Sequence, residues 1–94
     1  MRPPRVVSRT VTICNRRGLH ARAAARVAKL AEEYSADISF SANGLTVSAL
    51  SIMGLMLLAA GPGTEVEIDA TGAAAEDAVA ALVAMIETRF DEDI

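Results

Sequence analysis

Residues 37–48 read DISFSANGLTVS, and they decide the fold. Asp37 to Ala42 alternates, with Ile38 and Phe40 on one side, as a strand with one apolar face does. Asn43-Gly44 is the strongest short hairpin signal in the chain. Both central turn positions require positive φ, which these two residue types tolerate. Leu45 to Ser48 then returns as the partner strand. An antiparallel pair with one polar face belongs to a sheet covered on one side only.

Working outward, the run from His20 to Tyr34 places Ala23, Val27, Leu30, Ala31 and Tyr34 at helical spacing, with Arg22, Arg26 and Lys29 on another face. Residues 6–13 (VVSRTVTI) are β-branched, and Val7, Val11 and Ile13 share one face of a strand. Ser51 is the expected N-cap of an apolar helix reaching about Ala60. Gly61-Pro62-Gly63 ends it. Residues 64–70 form a strand with Val66 and Ile68 on one face and Glu65, Glu67 and Asp69 on the other. After Gly72, a last helix over residues 73–89 carries Ala78, Leu82, Met85, Ile86 and Arg89 around one face and its edge, with Glu76 and Asp77 in its first turn. The order β-α-β-β-α-β-α favours an α+β fold, an antiparallel sheet with helices on one face. A single domain over residues 6–90 is expected, with flexible termini at 1–5 and 91–94.

The 94 residues allow one modest core. One histidine and one cysteine exclude a metal cluster and an intrachain disulfide, and no cofactor is implied. The 19 alanines and only 3% aromatics predict small side chains between helices and sheet. Arginines interrupt the N-terminal segment too often for a signal peptide. The uncharged stretch 38–64 contains an uninterrupted apolar run only at residues 52–60, against the roughly 20 residues a membrane span needs. A cytoplasmic protein without membrane contact is therefore expected.

The net charge of -3 conceals a split. Residues 1–31 hold eight of the nine basic residues and no acid, while residues 32–94 hold Arg89 and all twelve acids. One face should attract anions.

The chemistry gathers at Asn15-Arg16-Arg17-Gly18-Leu19-His20-Ala21-Arg22-Ala23-Ala24. His20 stands where a helix begins, and the first helical N–H groups form an anion site. Arg22, in the same first turn, adds a planar charged fork suited to phosphate oxygens. A neutral imidazole is a nucleophile able to take a phosphoryl group directly. A lone histidine at a helix start is ordinarily a cap or a surface residue. This one follows Gly-Leu, is the only histidine, and lies among arginines. With no ATP-binding loop in the chain, the phosphoryl group must come from another protein or from a reactive phosphate compound.

Gly18-Leu19-His20-Ala21-Arg22 resembles the active-site signature of HPr, the histidine phosphocarrier family of the bacterial phosphoenolpyruvate-dependent phosphotransferase system. Ser51-Ile52-Met53-Gly54-Leu55-Met56 resembles the family's regulatory serine motif, and the likeness runs from about Arg9 to Ile86. The resemblance implies an open-faced β-sandwich of four antiparallel strands and three helices. It implies that His20 accepts phosphate on Nδ1 from enzyme I, that Arg22 pairs with that phosphate, and that a type IIA protein receives it. It implies further that Ser51 is a site for HPr kinase/phosphorylase, and that Ile52, Met53 and Met56 match an exposed docking surface. Two residues depart from the family pattern. Ala23 replaces the usual proline, which keeps helical propensity and adds one N–H. Leu50 stands where a basic residue is common, which weakens the case for efficient Ser51 phosphorylation and points to a regulatory, nitrogen-related branch.

Other residues have plainer expectations. Serine is a preferred N-cap, and capping alone could explain Ser51. Leu55 and Leu58 are expected inside, with Ile52, Met53 and Met56 at least partly outside. Arg16, Arg17 and Arg26 form a solvated basic rim that steers acidic partners. Cys14 is expected to be a small buried apolar residue. A carrier that docks two partners in turn does best as a monomer. The alternative function is a regulatory protein-binding module whose phosphorylation state controls partner enzymes or transcription factors. A nucleic-acid binder is disfavoured, because Tyr34, Phe40 and Phe90 are the only aromatics and offer no paired stacking platform.

Overall fold

The structure is a computed structural model that describes residues 6–92. In chain order the elements are β1 (Val7–Thr12), α1 (Ala21–Ala31), β2 (Asp37–Ala42), β3 (Leu45–Ser48), α2 (Ile52–Leu57), β4 (Glu65–Thr71) and α3 (Ala75–Glu87), followed by one 3-10 turn, Arg89–Asp91. The strands form a single antiparallel sheet in the order β1-β4-β2-β3. The expected α+β architecture is therefore present: four antiparallel strands and three helices.

The hairpin explains half of the sheet. Asn43 and Gly44 have φ of 52° and 81°, the double positive turn that matches strand twist, and they align Ala42 with Leu45 and Phe40 with Val47. The other half rests on β4, which inserts between β1 and β2 and pairs Val11 with Val66 and Phe40 with Ile68. Alternation then sorts the two faces. Val11, Ile38, Phe40, Ala42, Val66, Ile68 and Ala70 are buried on one face, whereas Ser8, Thr10, Thr12, Glu65 and Glu67 are exposed on the other. Helix α1 contributes a stripe of small buried residues, Ala23, Ala24, Val27, Ala28 and Ala31. Helix α3 adds Ala78, Val79, Leu82, Val83 and Ile86. Each fully buried Val, Leu, Ile or Phe stabilises the fold by about 1.5–3 kcal/mol relative to leaving it in water.

Several boundaries differ from the sequence expectation. Helix α1 stops at Ala31, and Glu33 and Tyr34 continue as tighter turns whose N–H groups donate to Leu30 and Ala31 carbonyls. Helix α2 ends at Leu57 instead of Ala60, because Ala59 turns left-handed with φ of 53°. Helix α3 begins at Ala75 and ends at Glu87, two residues inside each expected limit. Cys14 is exposed, contrary to expectation. The strand alternation runs past the end of β1, so Ile13 and Asn15 face inward and Cys14 outward, with its thiol donating to the Ile86 carbonyl at 3.4 Å. The expected flexible segments 1–5 and 93–94 lie outside the described residues. Asp91 and Glu92, also assigned to that tail, fold back onto the domain as described below. Among the described residues no helix is long and apolar enough to cross a membrane.

Candidate functional site

The site is built on the loop between β1 and α1. Gly18 has φ of 66°, and a Cβ added there would lie 2.6 Å from the Ala60 carbonyl oxygen. Glycine is thus required twice, by conformation and by space. The close approach lets Leu19 N–H donate to that same carbonyl at 2.9 Å while its side chain enters the core. Asn15, fully buried, donates from Nδ2 to the Gly18 carbonyl at 2.8 Å and closes the loop on itself. His20 follows as the N-cap of α1, with extended backbone (φ -77°, ψ -179°).

The ring of His20 takes the role that a serine or aspartate oxygen usually plays at this position. Its Nδ1 accepts from the Arg22 backbone N–H at 3.3 Å. The acceptor role leaves the proton of the neutral ring on Nε2. That nitrogen lies 2.5 Å from Glu92 Oε2. The two side chains are 16% and 13% exposed, so the contact is well shielded. Glu92 Oε1 in turn accepts from Asn15 Nδ2 at 2.9 Å. The Asn15 amide, chiefly, holds the Glu92 carboxyl below the usual glutamate range; burial opposes it, and His20 and the charge of Arg17 add lesser effects in the same direction as Asn15.

Sequence reasoning missed Glu92. The basic third of the chain contains no acid, yet the fold supplies one from 72 residues away. The signal that could have revealed it was Phe90, an aromatic beyond the last helix that must find the core. Phe90 is 1% exposed, and burying it draws the following residues across the site. Arg26, expected in the solvated rim, donates from Nη1 to the Phe90 carbonyl at 2.5 Å and lies 3.9 Å from Asp91 Oδ2.

The other expected residues fall into two groups. Arg22 is exposed beside His20 in the first turn of α1, and Arg16 and Arg17 are exposed in the preceding loop. Ser51, Ile52, Met53 and Met56 lie on α2, which packs against α1. Ser51 is the expected N-cap, its Oγ accepting from Gly54 N–H at 2.9 Å. Leu55 and Leu58 are buried, while Met53 is 77% exposed, with Ile52 and Met56 also exposed. Leu57, which the sequence reading did not assign to this surface, is also exposed on α2, and Leu50 is exposed just before it. Among the described residues no hydrogen bond joins this group to His20.

With this geometry in hand, comparisons with known proteins agree with one another. Residues 7–88 match the family described as PTS-HPr, PTS HPr component phosphorylation site. The chain is 44% identical to phosphocarrier protein HPr of Cupriavidus necator over 93% of this chain and 98% of that one. It is 41% identical to phosphocarrier protein NPr of Shewanella violacea, over 92% and 94%. The crystal structure of HPr-C-His from Thermoanaerobacter tengcongensis superposes with a TM-score of 0.88 at 39% identity, covering 94% of this chain and 99% of that one. As the Gly18–Arg22 resemblance implied, the chain belongs to the HPr family, the phosphocarrier proteins of the phosphotransferase system, which carry a phosphoryl group and are not themselves enzymes.

Proposed function

We propose that His20 is the phosphorylated residue, that it accepts the group on Nδ1 from enzyme I, and that it passes it to a type IIA acceptor protein. The observation that carries this reading is the hydrogen bond from Arg22 N–H to Nδ1, in which the Nδ1 lone pair is the acceptor and faces the positive end of α1. In the transfer, the Nδ1 lone pair attacks phosphorus and the P–Nδ1 bond forms. The bond from phosphorus to the donor's leaving atom breaks, and that atom keeps the electron pair. The Arg22 N–H, released from the lone pair, then faces a phosphoryl oxygen, and the exposed guanidinium of Arg22 pairs with the dianion. The reverse sequence delivers the group to the acceptor.

Docking on both partners uses Arg22, Arg26 and the exposed apolar residues Ile52, Met53 and Met56. Unbranched, polarizable methionines suit a surface that must fit more than one partner. Ser51, at the edge of that surface, is the candidate site for HPr kinase/phosphorylase, where a phosphate would oppose acidic partners. The relative named NPr, together with Leu50, supports a regulatory, nitrogen-related branch. A monomer working in the cytoplasm as a single domain goes with this role. The test is incubation with enzyme I and labelled phosphoenolpyruvate. The expected product carries one acid-labile, base-stable phosphoryl group, and His20→Ala takes up none.

A further inference from the structure

We propose that Glu92 is a positioning residue for phosphoryl transfer at His20, holding the ring in the tautomer that frees Nδ1 and countering the positive charge that grows on the ring as Nδ1 attacks. The inference rests on His20 being the phosphorylated residue, as proposed above.

The contact is not a casual one between surface groups. Glu92 Oε2 accepts a hydrogen bond from the Nε2–H at 2.5 Å, and Oε1 is fixed by the buried Asn15 amide, whose second bond is to the Gly18 carbonyl of the same loop. One rigid loop thus sets both the histidine and the carboxylate that faces it. The backbone leading to Glu92 is also held in a costly shape. Arg89, Phe90 and Asp91 have φ of 58°, 54° and 58°. None is glycine, and each left-handed residue costs roughly 1–2 kcal/mol. Such a run persists only when surrounding contacts over-determine it. Here those contacts are the burial of Phe90, the Arg26 bond to its carbonyl, and the Glu92 N–H bond to the Arg89 carbonyl at 2.9 Å. All of them deliver Glu92 to His20.

The chemistry follows from the two ring nitrogens. Nδ1 is an acceptor toward Arg22 N–H, so the ring proton sits on Nε2 and is directed at the carboxylate. When the Nδ1 lone pair enters the new P–N bond, the ring becomes cationic while Nε2 keeps its proton. A carboxylate on that proton, in a shielded site, stabilises the cation more than water would. The same proton is retained when the group leaves, so the ring departs from phosphorus as the neutral imidazole with which it began. Glu92 touches neither phosphorus nor the partner's leaving atom. It acts through His20.

The test compares wild type, Glu92→Ala, Glu92→Gln and His20→Ala in two measurements. The first is the single-turnover rate of phosphoryl uptake from phosphoenolpyruvate and enzyme I. The second is the nitrogen-15 spectrum of the unphosphorylated ring, which reports the tautomer. Glu92→Ala is expected to slow uptake by about tenfold to a hundredfold, by analogy with carboxylates that orient metal-ligating histidines, and to mix the two tautomers. Glu92→Gln keeps an acceptor without the charge, so it should retain the tautomer and fall between the other two in rate. The proposal is overturned if Glu92→Ala keeps both the wild-type rate and the wild-type tautomer. It is also overturned if Glu92→Ala slows uptake with the tautomer unchanged, since Glu92 would then not hold the ring. Uptake by His20→Ala would instead overturn the assignment of His20 itself.

Discussion

Gly18 lies against the carbonyl of Ala60 so closely that the loop carrying His20 and the segment after α2 are in effect one surface. A Cβ at residue 18 would meet that oxygen at 2.6 Å and the Gly61 Cα at 2.8 Å, both backbone atoms that cannot rotate away. Gly18→Ala therefore combines a left-handed penalty with overpacking and should cost about 2–4 kcal/mol. Gly44→Ala is the control, because its Cβ meets nothing within 4 Å while its φ is also positive. Chemical denaturation should show the larger loss at residue 18, with phosphoryl uptake impaired only there. Equal losses would mean that the contact with Ala60 is unimportant.

Ser51 offers a second test, of capping and regulation together. Its Oγ satisfies the Gly54 N–H, so Ser51→Ala should lose about 1 kcal/mol. Ser51→Asp keeps a capping oxygen and adds negative charge at a helix N-terminus, so it should stay near wild type in stability. Yet it should bind enzyme I more weakly than wild type in a calorimetric titration. If Ser51→Asp unfolds as early as Ser51→Ala, the serine is not acting as a cap.

The exposed methionine surface separates stability from docking. Met53→Asp should leave the melting behaviour within about 0.5 kcal/mol of wild type, because Met53 is mostly in water. It should nevertheless raise the Kd for enzyme I. Leu55→Ala, at a fully buried neighbour, should instead cost about 2–5 kcal/mol. Unchanged binding by Met53→Asp would remove this residue from the docking surface.

On the open face of the sheet, the Asp69 carboxylate holds Glu67 above the usual glutamate range, first as a hydrogen-bond acceptor for the protonated form and then by its charge, with burial adding in the same direction. A carboxyl raised in the folded state contributes stability below its unfolded pKa, and that contribution is lost as pH rises through the folded value. Glu67→Gln should therefore melt higher than wild type at neutral pH and show no advantage in acid. Thermal melts across pH 3–8 check the sign, and an advantage confined to acid would contradict it.

Much of this molecule could be read from short stretches of its sequence. Asn43-Gly44 announced the hairpin, Ser51 announced its helix, and Gly18 to Arg22 announced the family. These are local patterns, in which a few consecutive residues decide a turn, a cap or a loop. What escaped were pairings between distant segments. Nothing near β1 says that it lies beside β4, and nothing near His20 says that Glu92 will accept a hydrogen bond from its ring. The bond from Arg26 to the Phe90 carbonyl was also out of reach, because its acceptor is a backbone atom that composition does not advertise. Cys14 was misjudged for a different reason. Its apolar character outweighed an alternation that, followed two residues beyond the strand, placed it outside.

The central claim is that His20 is phosphorylated on Nδ1, and NMR of the phosphorylated protein tests it most directly. Phosphorus-31 and nitrogen-15 spectra after treatment with phosphoenolpyruvate and enzyme I should show one phosphoramidate, with phosphorus bonded to Nδ1 of His20 and the proton retained on Nε2. Phosphorus on Nε2, or a phosphoramidate that survives in His20→Ala, would contradict the account.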